Sequence, residues 1–252
     1  MPDSSFTEGV VVENKHWTDQ LYSLKIDADI KTFTPGQFGR LALDIGGKRI
    51  ARPYSFVNAP GEAHQEFYSI VVPEGALSLR LHALERGDKI WIASAAAGFF
   101  TMDEVRDGSE LWMLSTGTAL GPFLSILKTD EPWRRFQRIV LVHAVRRAEE
   151  LTYSDTIETF RRRDPQRFTF IPFVSREQTD FAMPGRVPAA IESGELEKRA
   201  NLPFNPATSQ VMICGNPGMI EDTSNILKAR GFKKNRRRDP GQITTENYWS
   251  DS

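Results

Sequence analysis

A guanidinium, an aromatic ring and a hydroxyl come close together in the segment Ala51-Arg52-Pro53-Tyr54-Ser55. In an extended strand, side chains two residues apart share a face, so Arg52 and Tyr54, with Ser55, are predicted to form a ledge at a sheet edge. Arginine can hold a phosphate, tyrosine offers a stacking plane, and serine offers one small donor or acceptor. Pro53, which has no N–H, indicates an edge strand or a strand start. The segment predicts a site for a planar, phosphorylated ligand, with an ordinary half-buried strand as the alternative.

A second candidate site follows the apolar run Leu111–Leu114, where the chain continues as Ser115-Thr116-Gly117-Thr118-Ala119-Leu120-Gly121-Pro122. Gly117 and Gly121 allow close approach to the backbone, and Pro122 suits the first turn of a helix. The N-terminus of such a helix presents free amides and a positive dipole to a pyrophosphate. Because the three-glycine dinucleotide fingerprint is absent, a plain strand-turn-helix connection is the alternative.

Basic residues at two later strand ends bear on the choice of coenzyme. The predicted second strand of this half leads into Arg146, and the third leads into Ser175 and Arg176, with Arg186 after a Pro-Gly turn. A fold specific for NAD usually has an acidic residue at the second strand end, which holds the ribose hydroxyls. Arginines there instead favour a 2'-phosphate, and hence NADP(H), because a guanidinium binds phosphate strongly. Each arginine by itself would be interpreted as an exposed surface residue.

The last apolar run of this half, Val211–Cys214, is followed by Gly215-Asn216-Pro217-Gly218. Cys214 is either a small buried residue or, from its position at a strand end, a neighbour of the reacting nicotinamide. Further on, the segment Ile243-Thr244-Thr245-Glu246-Asn247 predicts a final strand that leads into Tyr248 and Trp249.

The two halves of the chain differ in the spacing of their apolar runs and turn signals, which predicts two domains. From about residue 8 to 95, short β-type runs and turn signals predict an antiparallel β-barrel or sandwich, with one helix that Ser78 is expected to cap. After about residue 108, apolar runs at βαβ spacing predict an α/β domain with a parallel sheet and helices on both faces. The charged stretch 103–109 separates them, so the predicted domains are residues 1–105 and 106–252. The β-type runs of the first half are Val10–Val12, Tyr22–Ile26, Phe38–Ile45, Tyr54–Val57, Phe67–Val72 and Ile90–Ala93.

Composition limits the class of protein. The 252 residues have a formal net charge of -1, so no global field favours nucleic acid or a membrane. The single cysteine excludes a disulfide framework and a cysteine-ligated iron–sulfur cluster within the chain, and the four histidines are scattered. Without a run of about 18 apolar residues, the chain is predicted to be cytoplasmic. Three basic clusters could still orient acidic partners: Arg134, Arg135 and Arg138; Arg161–Arg163; and Lys233, Lys234 and Arg236–Arg238.

Taken in order, these segments resemble the bacterial ferredoxin (flavodoxin)–NADP+ reductases of the plant-type ferredoxin reductase superfamily, over nearly the whole chain. Each segment is a loose motif by itself, whereas their order is highly specific. The segments are Pro35-Gly36-Gln37-Phe38, Arg52-Pro53-Tyr54-Ser55, Gly75-Ala76-Leu77-Ser78, Ala97-Gly98-Phe99-Phe100, Thr116-Gly117-Thr118 with Gly121-Pro122, Val174-Ser175-Arg176, Cys214-Gly215-Asn216-Pro217 and Tyr248-Trp249.

The resemblance implies an FAD-binding β-barrel domain followed by an NADP-binding α/β domain. It implies that Arg52 binds the FAD phosphates, that Tyr54 packs against the isoalloxazine and that Ser55 lies near its N5. The other cofactor-binding residues that it implies are Pro53, Tyr68, Ala76, Leu77, Ser78 and Thr118 for FAD, Arg146, Ser175, Arg176, Arg186, Asn216, Pro217 and Gly218 for NADP(H), and Tyr248 and Trp249 at the flavin face.

The implied reaction is hydride transfer between NADPH and flavin N5, followed by single-electron transfer with ferredoxin or flavodoxin, in a monomeric enzyme that needs no metal ion. Two alternatives are an NAD(P)H reductase of free flavin or small acceptors, and a flavin-binding regulatory subunit. The chain departs from the family where Pro53 replaces a small residue and where Ser250-Asp251-Ser252 follow the terminal aromatic pair. The implied catalytic residues are Ser55, Cys214, Glu246 and Trp249.

Overall fold

The computed structural model describes residues 5–247. The chain forms two compact units. The first contains the chain up to Thr101 together with Gly121–Lys128, and the second contains Met102–Leu120 and the chain from Thr129 onward. Each unit is built on a six-stranded sheet. The main difference from the expected division at residues 105 and 106 is the segment Gly121–Lys128, which belongs with the first unit. Within the described residues, no helix is both long and apolar enough to cross a membrane.

The first sheet is antiparallel, with the strand order β4-β3-β6-β1-β2-β5. Alternate apolar side chains of these strands, among them Tyr22, Leu24 and Phe67, fill the core of this unit. The antiparallel β-domain predicted from the sequence is therefore confirmed. Its strands are β1 (Phe6–His16), β2 (Leu21–Asp27), β3 (Phe38–Ile45), β4 (Lys48–Ser55), β5 (Gln65–Ile70) and β6 (Lys89–Ala93).

The strand that contains the Arg-Pro-Tyr-Ser segment is longer at its start than the sequence predicted. It begins at Lys48 rather than at Tyr54, because Gly46 and Gly47, with φ of 58° and 75°, form a two-residue hairpin turn. The strand β4 lies at the edge of its sheet. A residue without an N–H is tolerated at an edge. The edge position that Pro53 indicated is therefore confirmed.

The helix of the first unit, α1 (Ser78–His82), starts differently from the prediction. Its N-cap residue is Leu77, which has helical backbone angles and no capping side-chain hydrogen bond, so the predicted capping by Ser78 is wrong. The Ser78 hydroxyl instead accepts a hydrogen bond from Val72 N at 3.0 Å and donates one to Val72 O at 3.2 Å. Because the hydroxyl is occupied in closing this loop, it is not available to cap the helix.

The second sheet is parallel, with the strand order β10-β9-β8-β7-β11-β12. The chain moves outward from β7 to β10 and then returns to the other side of β7, so the strand order reverses between β7 and β11. In open α/β sheets, ligands bind at such a reversal, at the carboxyl ends of the strands. The strands are β7 (Glu110–Thr116), β8 (Arg138–Val145), β9 (Phe168–Val174), β10 (Met183–Pro184), β11 (Ser209–Gly215) and β12 (Ile243–Asn247).

Helices cover both faces of this sheet, as the sequence predicted. The α-helices of this unit are α3 (Glu131–Arg135), α4 (Ser154–Arg163), α5 (Val187–Glu192), α6 (Glu195–Ala200) and α7 (Pro217–Ala229). On one face, Ile171 and Phe173 of β9 belong to a core cluster with α5, α6 and α7. On the other face, the Phe168 ring lies 5.7 Å from Trp133 of α3 and 6.0 Å from Phe160 of α4, measured between centroids.

The helix that follows the small-residue turn, α2 (Gly121–Leu127), packs with the first unit. Ser125 Oγ donates a hydrogen bond to Asn58 O at 2.7 Å. The ring of Phe123 lies 5.4 Å from that of Phe100. These buried contacts explain why Gly121–Lys128 belongs to the first unit, although the residues before and after this segment belong to the second.

Asn14 of β1 holds the carboxyl-terminal end of α1 and allows a test of this packing. Its Nδ2 donates hydrogen bonds to His82 O at 2.9 Å and to Leu84 O at 2.8 Å. Asn14→Ala leaves Leu84 O without this donor and leaves His82 O with only His16 Nε2, at 3.0 Å, so it is expected to lower the free energy of unfolding by about 1–3 kcal/mol. Asn14→Asp, which turns a negative charge toward the carbonyls, is expected to lower it further. Urea denaturation measures both, and an Asn14→Asp protein as stable as the wild type would contradict this interpretation.

Candidate functional site

The edge strand β4 presents two of the three predicted ledge residues on one face. Arg52 and Tyr54 are two residues apart and share a face, whereas Ser55 points to the opposite side and is buried, with 4% of its surface exposed. The prediction that all three form one ledge is therefore wrong for Ser55, since successive side chains of a strand alternate. Arg52 is exposed, and its Nη1 donates a hydrogen bond to the neighbouring Ala51 O at 2.8 Å.

Tyr54 is held by a chain of hydroxyls that the sequence did not reveal. Ser69 of β5 hydrogen-bonds the hydroxyls of both Tyr54 and Tyr22. The Tyr22 hydroxyl also donates to Ser78 O at 3.2 Å. Burial raises the pKa of Tyr54 to about 12, so the ring is neutral at physiological pH. This chain connects the predicted ring-stacking residue of β4 with the start of α1.

The loop before α1, which the family resemblance assigns to the FAD pyrophosphate, contains backbone amides without a protein partner among the described residues. Within residues 5–247, the amides of Ala76 and Leu77 have no protein acceptor, and the Ala76 side chain is exposed. Arg80 Nη1 donates to Ala76 O at 3.0 Å, which fixes the peptide that follows Ala76. Tyr68 is buried on the opposite face of β5 from Ser69.

In the second unit, the carboxyl ends of β7 and β11 approach each other unusually closely. Gly215 has a φ of 143°, and a Cβ at this position would lie 2.0 Å from Thr116 Oγ1. The next residue, Asn216, donates its amide to the same oxygen at 2.9 Å. Only glycine fits at position 215, because both its backbone angle and the available space exclude a side chain. The predicted turn Thr116-Gly117-Thr118 is therefore joined directly to the end of β11.

The predicted residues Asn216, Pro217 and Gly218 form the start of α7. Asn216 is the N-cap of this helix, and its side-chain oxygen accepts a hydrogen bond from Met219 N at 3.3 Å. Pro217 occupies the first helical position. Thr118 is buried in a short 3-10 helix after β7.

The four residues predicted to bind a 2'-phosphate lie at the carboxyl ends of three adjacent strands. Ser175 N and Oγ both donate to Val145 O, each at 3.1 Å, and Arg176 N donates to Arg146 O at 2.9 Å. These bonds continue the pairing of β8 with β9, so Arg146, Ser175 and Arg176 are brought together. Arg186 follows β10, whose last residue pairs with the last residue of β9.

These three arginines are free to bind an anion. All are exposed, and no ion pair involves them within the part of the chain that the structure describes. Their neighbour Arg147 differs, since its Nη1 lies 3.9 Å from Glu177 Oε2. Glu150, an acidic residue shortly after the end of β8, accepts hydrogen bonds from the amides of Arg146 and Arg147 at 2.7 and 2.9 Å. It is therefore occupied by the backbone.

A row of reactive side chains crosses the second sheet near its carboxyl ends. The register pairs Ser115 of β7 with Cys214 of β11, and Cys214 with Glu246 of β12, so the three side chains share one face. Cys214 is fully buried, and burial raises the pKa of its thiol well above its usual value, with the Glu246 charge adding to the rise. Burial also raises the pKa of Glu246 to about 7. Thus the thiol is neutral, and the carboxyl can gain or lose a proton near neutral pH.

The structure thus brings together two of the predicted catalytic residues, Cys214 and Glu246, in one row of the second unit. Ser55 belongs to the first unit. Tyr248 and Trp249 lie outside the described residues. Sequence reasoning missed His143, which follows the apolar run of β8 and is completely buried despite its polar ring. The only signal in the sequence was a histidine directly after the apolar run Ile139–Val142.

Comparisons with known proteins show which family the chain belongs to. Residues 113–225 match a family model described as an oxidoreductase NAD-binding domain. The chain is 47% identical to the flavodoxin/ferredoxin–NADP reductase of Escherichia coli K12 over 98% of this chain and 100% of that protein. It is 36% identical to the ferredoxin–NADP reductase of Pseudomonas aeruginosa over 96% of each. A solved ferredoxin NADP+ reductase from Neisseria gonorrhoeae, with bound FAD and NADP, has a TM-score of 0.91 at 32% identity, over 97% of this chain and 99% of that one.

The chain belongs to the flavodoxin/ferredoxin–NADP reductases. The family resemblance predicted from the sequence is therefore confirmed, and so is the two-part fold with an antiparallel sheet followed by a parallel one.

The raised pKa of Glu246 predicts how the stability of the reductase depends on pH. The native carboxyl keeps its proton up to a pKa of about 7, whereas an unfolded one loses it near 4.5, so the native state binds more protons between these values. Stability should therefore fall as the pH rises through this window. In urea denaturation at pH 5 and pH 7.5, the wild type is expected to lose about 2 kcal/mol more than Glu246→Gln, which has no carboxyl to titrate. Equal losses would contradict the assignment.

Proposed function

We propose that the chain is an FAD-dependent oxidoreductase that transfers electrons between NADPH and a ferredoxin or flavodoxin. FAD is bound by the first unit and NADP(H) by the second. The observation on which this mainly depends is the set of unpaired arginines, Arg146, Arg176 and Arg186, that three adjacent strands bring to one edge of the parallel sheet. The relatives named above are flavodoxin/ferredoxin–NADP reductases, which supports the oxidoreductase class and both coenzymes.

The residues of the first unit fit FAD. The exposed Arg52 guanidinium and the free amides of Ala76 and Leu77 are donors that suit its phosphates. The neutral, half-buried Tyr54 ring, held through Ser69 and Tyr22, suits packing against the isoalloxazine. The buried Ser55 hydroxyl is proposed to hydrogen-bond near N5, and Tyr68 and Thr118 are proposed to support the ring system.

The residues of the second unit fit NADP(H). Arg146, Arg176 and Arg186 offer donors for a 2'-phosphate, and the Ser175 hydroxyl, which donates to Val145 O, can accept a hydrogen bond beside them. Glu150 and Glu177, which follow β8 and β9, accept hydrogen bonds from backbone amides. Asn216 and the first residues of α7, Pro217 and Gly218, border the reversal between β7 and β11, where the rest of the coenzyme is expected to lie.

Bound FAD supplies the redox chemistry, because it accepts a hydride from NADPH and passes electrons on singly. The protein residues orient the two ring systems and exclude water. Cys214, whose thiol is neutral and fully buried, packs in the interior near the end of β11. Glu246, with a pKa of about 7, can hold or release a proton beside it. We propose that Trp249 covers the flavin face that the nicotinamide must occupy.

The absorption spectrum of the purified protein tests this function directly. A yellow protein that is bleached anaerobically by NADPH, and that then reduces ferredoxin or flavodoxin faster than free flavin, is the expected result. Bleaching followed by preferential reduction of free flavin would instead identify a flavin reductase without a protein partner. A yellow protein that NADPH does not bleach would identify a non-catalytic flavin-binding subunit.

We also propose a cytoplasmic, monomeric enzyme, whose one cysteine requires no oxidising compartment.

Coenzyme choice is tested at Arg176. The loss of a charge-assisted phosphate contact costs about 1.5–3 kcal/mol. Arg176→Ala is therefore expected to lower kcat/KM for NADPH about ten-fold or more, while kcat/KM for NADH stays nearly unchanged. The matched control is Arg199→Ala, which removes an exposed arginine of α6 away from the strand ends. Equal losses with NADPH and NADH would refute the assignment of Arg176 to the 2'-phosphate.

The structure separates the three basic clusters by what their side chains already contact. In the first cluster, Arg135 donates a hydrogen bond to Met102 O at 2.7 Å and forms an ion pair with Glu131 at 2.9 Å. The main contacts of Arg135 are therefore with other residues of this chain. In the second, Arg161 and Arg162 both pair with Glu158, and Arg163 pairs with Asp130.

The third cluster, Lys233, Lys234 and Arg236–Arg238, is exposed and has no ion pair within residues 5–247. Its charge is therefore the least compensated of the three. We propose that this segment is the one that attracts an acidic electron carrier, since complementary charge speeds encounter between proteins.

Charge reversal of Arg236–Arg238 to glutamate tests this proposal. It should slow reduction of an acidic ferredoxin or flavodoxin several-fold at low salt, and the difference should disappear near 1 M salt, where the Debye length falls to about 3 Å. Reversal of Arg161–Arg163 changes the net charge by the same amount and is the control, with a smaller effect expected. If both triple variants behave alike, a local docking role for Arg236–Arg238 is refuted.

A further inference from the structure

His143 is a buried polar side chain that the functions described so far do not use. It lies on β8, where the register pairs it with Ser115 of β7, so it extends the row formed by Ser115, Cys214 and Glu246 by one strand. Its surface is fully buried, and its Nε2 lies 3.0 Å from Gly117 O. Placing an imidazole in the interior of a sheet is unfavourable unless its polar atoms are satisfied. The histidine therefore requires an explanation.

The hydrogen bond to Gly117 determines the form of the ring. A carbonyl oxygen only accepts, so Nε2 must be the donor. Burial lowers the pKa of His143 to about 4, so the imidazole is neutral and carries its single proton on Nε2. The other nitrogen, Nδ1, is buried and has no partner within the described residues. The ring thus makes one directional contact, and this contact is with the turn after β7.

That turn is held from both sides. On the β11 side, Thr116 Oγ1 accepts the Asn216 amide at 2.9 Å. On the β8 side, His143 holds the Gly117 carbonyl. Gly117 has a φ of 54°, in the left-handed region where a glycine has several accessible conformations. Gly117 also begins the 3-10 helix Gly117–Leu120, and His143 is the side chain that holds its carbonyl on the β8 side.

The orientation of the Gly117 carbonyl also sets the orientation of the next amide. In a trans peptide, the C=O of one residue and the N–H of the next point in opposite directions. While the Gly117 carbonyl points to His143, the Thr118 N–H therefore points away from β8. This peptide lies at the carboxyl end of β7, beside the reversal between β7 and β11 at which ligands bind in sheets of this kind.

We propose that His143 is a positioning residue, which fixes the Gly117–Thr118 peptide so that its amide faces the pyrophosphate–nicotinamide half of NADP(H). This proposal rests on the proposed function, since it takes NADP(H) as the ligand of the second unit. It distinguishes two halves of the coenzyme: the 2'-phosphate is held by the strand-end arginines, and the other half depends on the turn that His143 orients.

Binding titrations with NADP+ and with adenosine 2'-phosphate, which lacks the pyrophosphate and the nicotinamide, test the proposal on the FAD-loaded enzyme. His143→Leu, which has no donor, is expected to weaken NADP+ binding about ten-fold, as the loss of one orienting hydrogen bond would. Binding of adenosine 2'-phosphate should change less than about two-fold. His143→Gln, whose side-chain amide can donate to Gly117 O, should recover most of the NADP+ affinity.

Ser115→Ala is the matched control, because Ser115 is the register partner of His143, is equally buried and also donates to a carbonyl, Val142 O at 2.7 Å. It should leave both affinities nearly unchanged. Unchanged NADP+ affinity in His143→Leu, or equal losses for both ligands, would overturn the proposal. If the wild type binds neither ligand, the proposed function itself fails.

If His143→Leu does not fold, nitrogen NMR of the wild-type imidazole decides the question. The ring should show the Nε2–H form throughout the neutral pH range, and its signals should shift on addition of NADP+ but not of adenosine 2'-phosphate. An Nδ1–H form, or equal shifts with both ligands, would overturn the proposal.

Discussion

The parallel register of β8, β7, β11 and β12 is the constraint on which the second unit depends. Each strand contributes one residue to the row His143, Ser115, Cys214 and Glu246, and the register alone brings these distant parts of the chain side by side. The row lies one or two residues before these strands end, next to the point where backbone pairing stops. There, carbonyls and amides must find other partners or bind a ligand. A shift of register by one residue would turn the whole row to the other face.

The close approach of β7 and β11 shows how little freedom this arrangement leaves. Gly215 is in contact with the Thr116 side chain, so the two strand ends can meet only because position 215 has no Cβ. The Thr116 hydroxyl then replaces a missing ladder bond by accepting the Asn216 amide. Sterics and hydrogen bonding therefore act on the same few atoms. This explains why small residues and glycines are concentrated in both turns.

Buried hydroxyls have a comparable role in the first unit. Ser69 links Tyr54 to Tyr22, and Tyr22 continues to the first residue of α1. A hydroxyl can both donate and accept, so a chain of hydroxyls can satisfy several buried polar groups without burying charge. The proposed flavin-stacking residue is thereby held by side chains from strands that lie far apart in the sequence. Its position is a property of the barrel core rather than of the edge strand alone.

The sequence by itself determined the family, the order of the two folds and most of the polar residues at strand ends. It did so because glycine-containing turns and apolar runs are local signals. Pro53 is another local signal, because a residue without an N–H restricts its strand to the edge of a sheet. The predicted ledge misplaced Ser55 because it ignored the alternation of side chains along a strand. A helix-cap pattern misplaced Ser78 because its hydroxyl is occupied by Val72. Only the tertiary structure decided which arginines are free and which are paired, and which unit α2 joins. It alone also placed His143 against Gly117. These are contacts between segments far apart in the chain, and no local pattern of residue types specifies them.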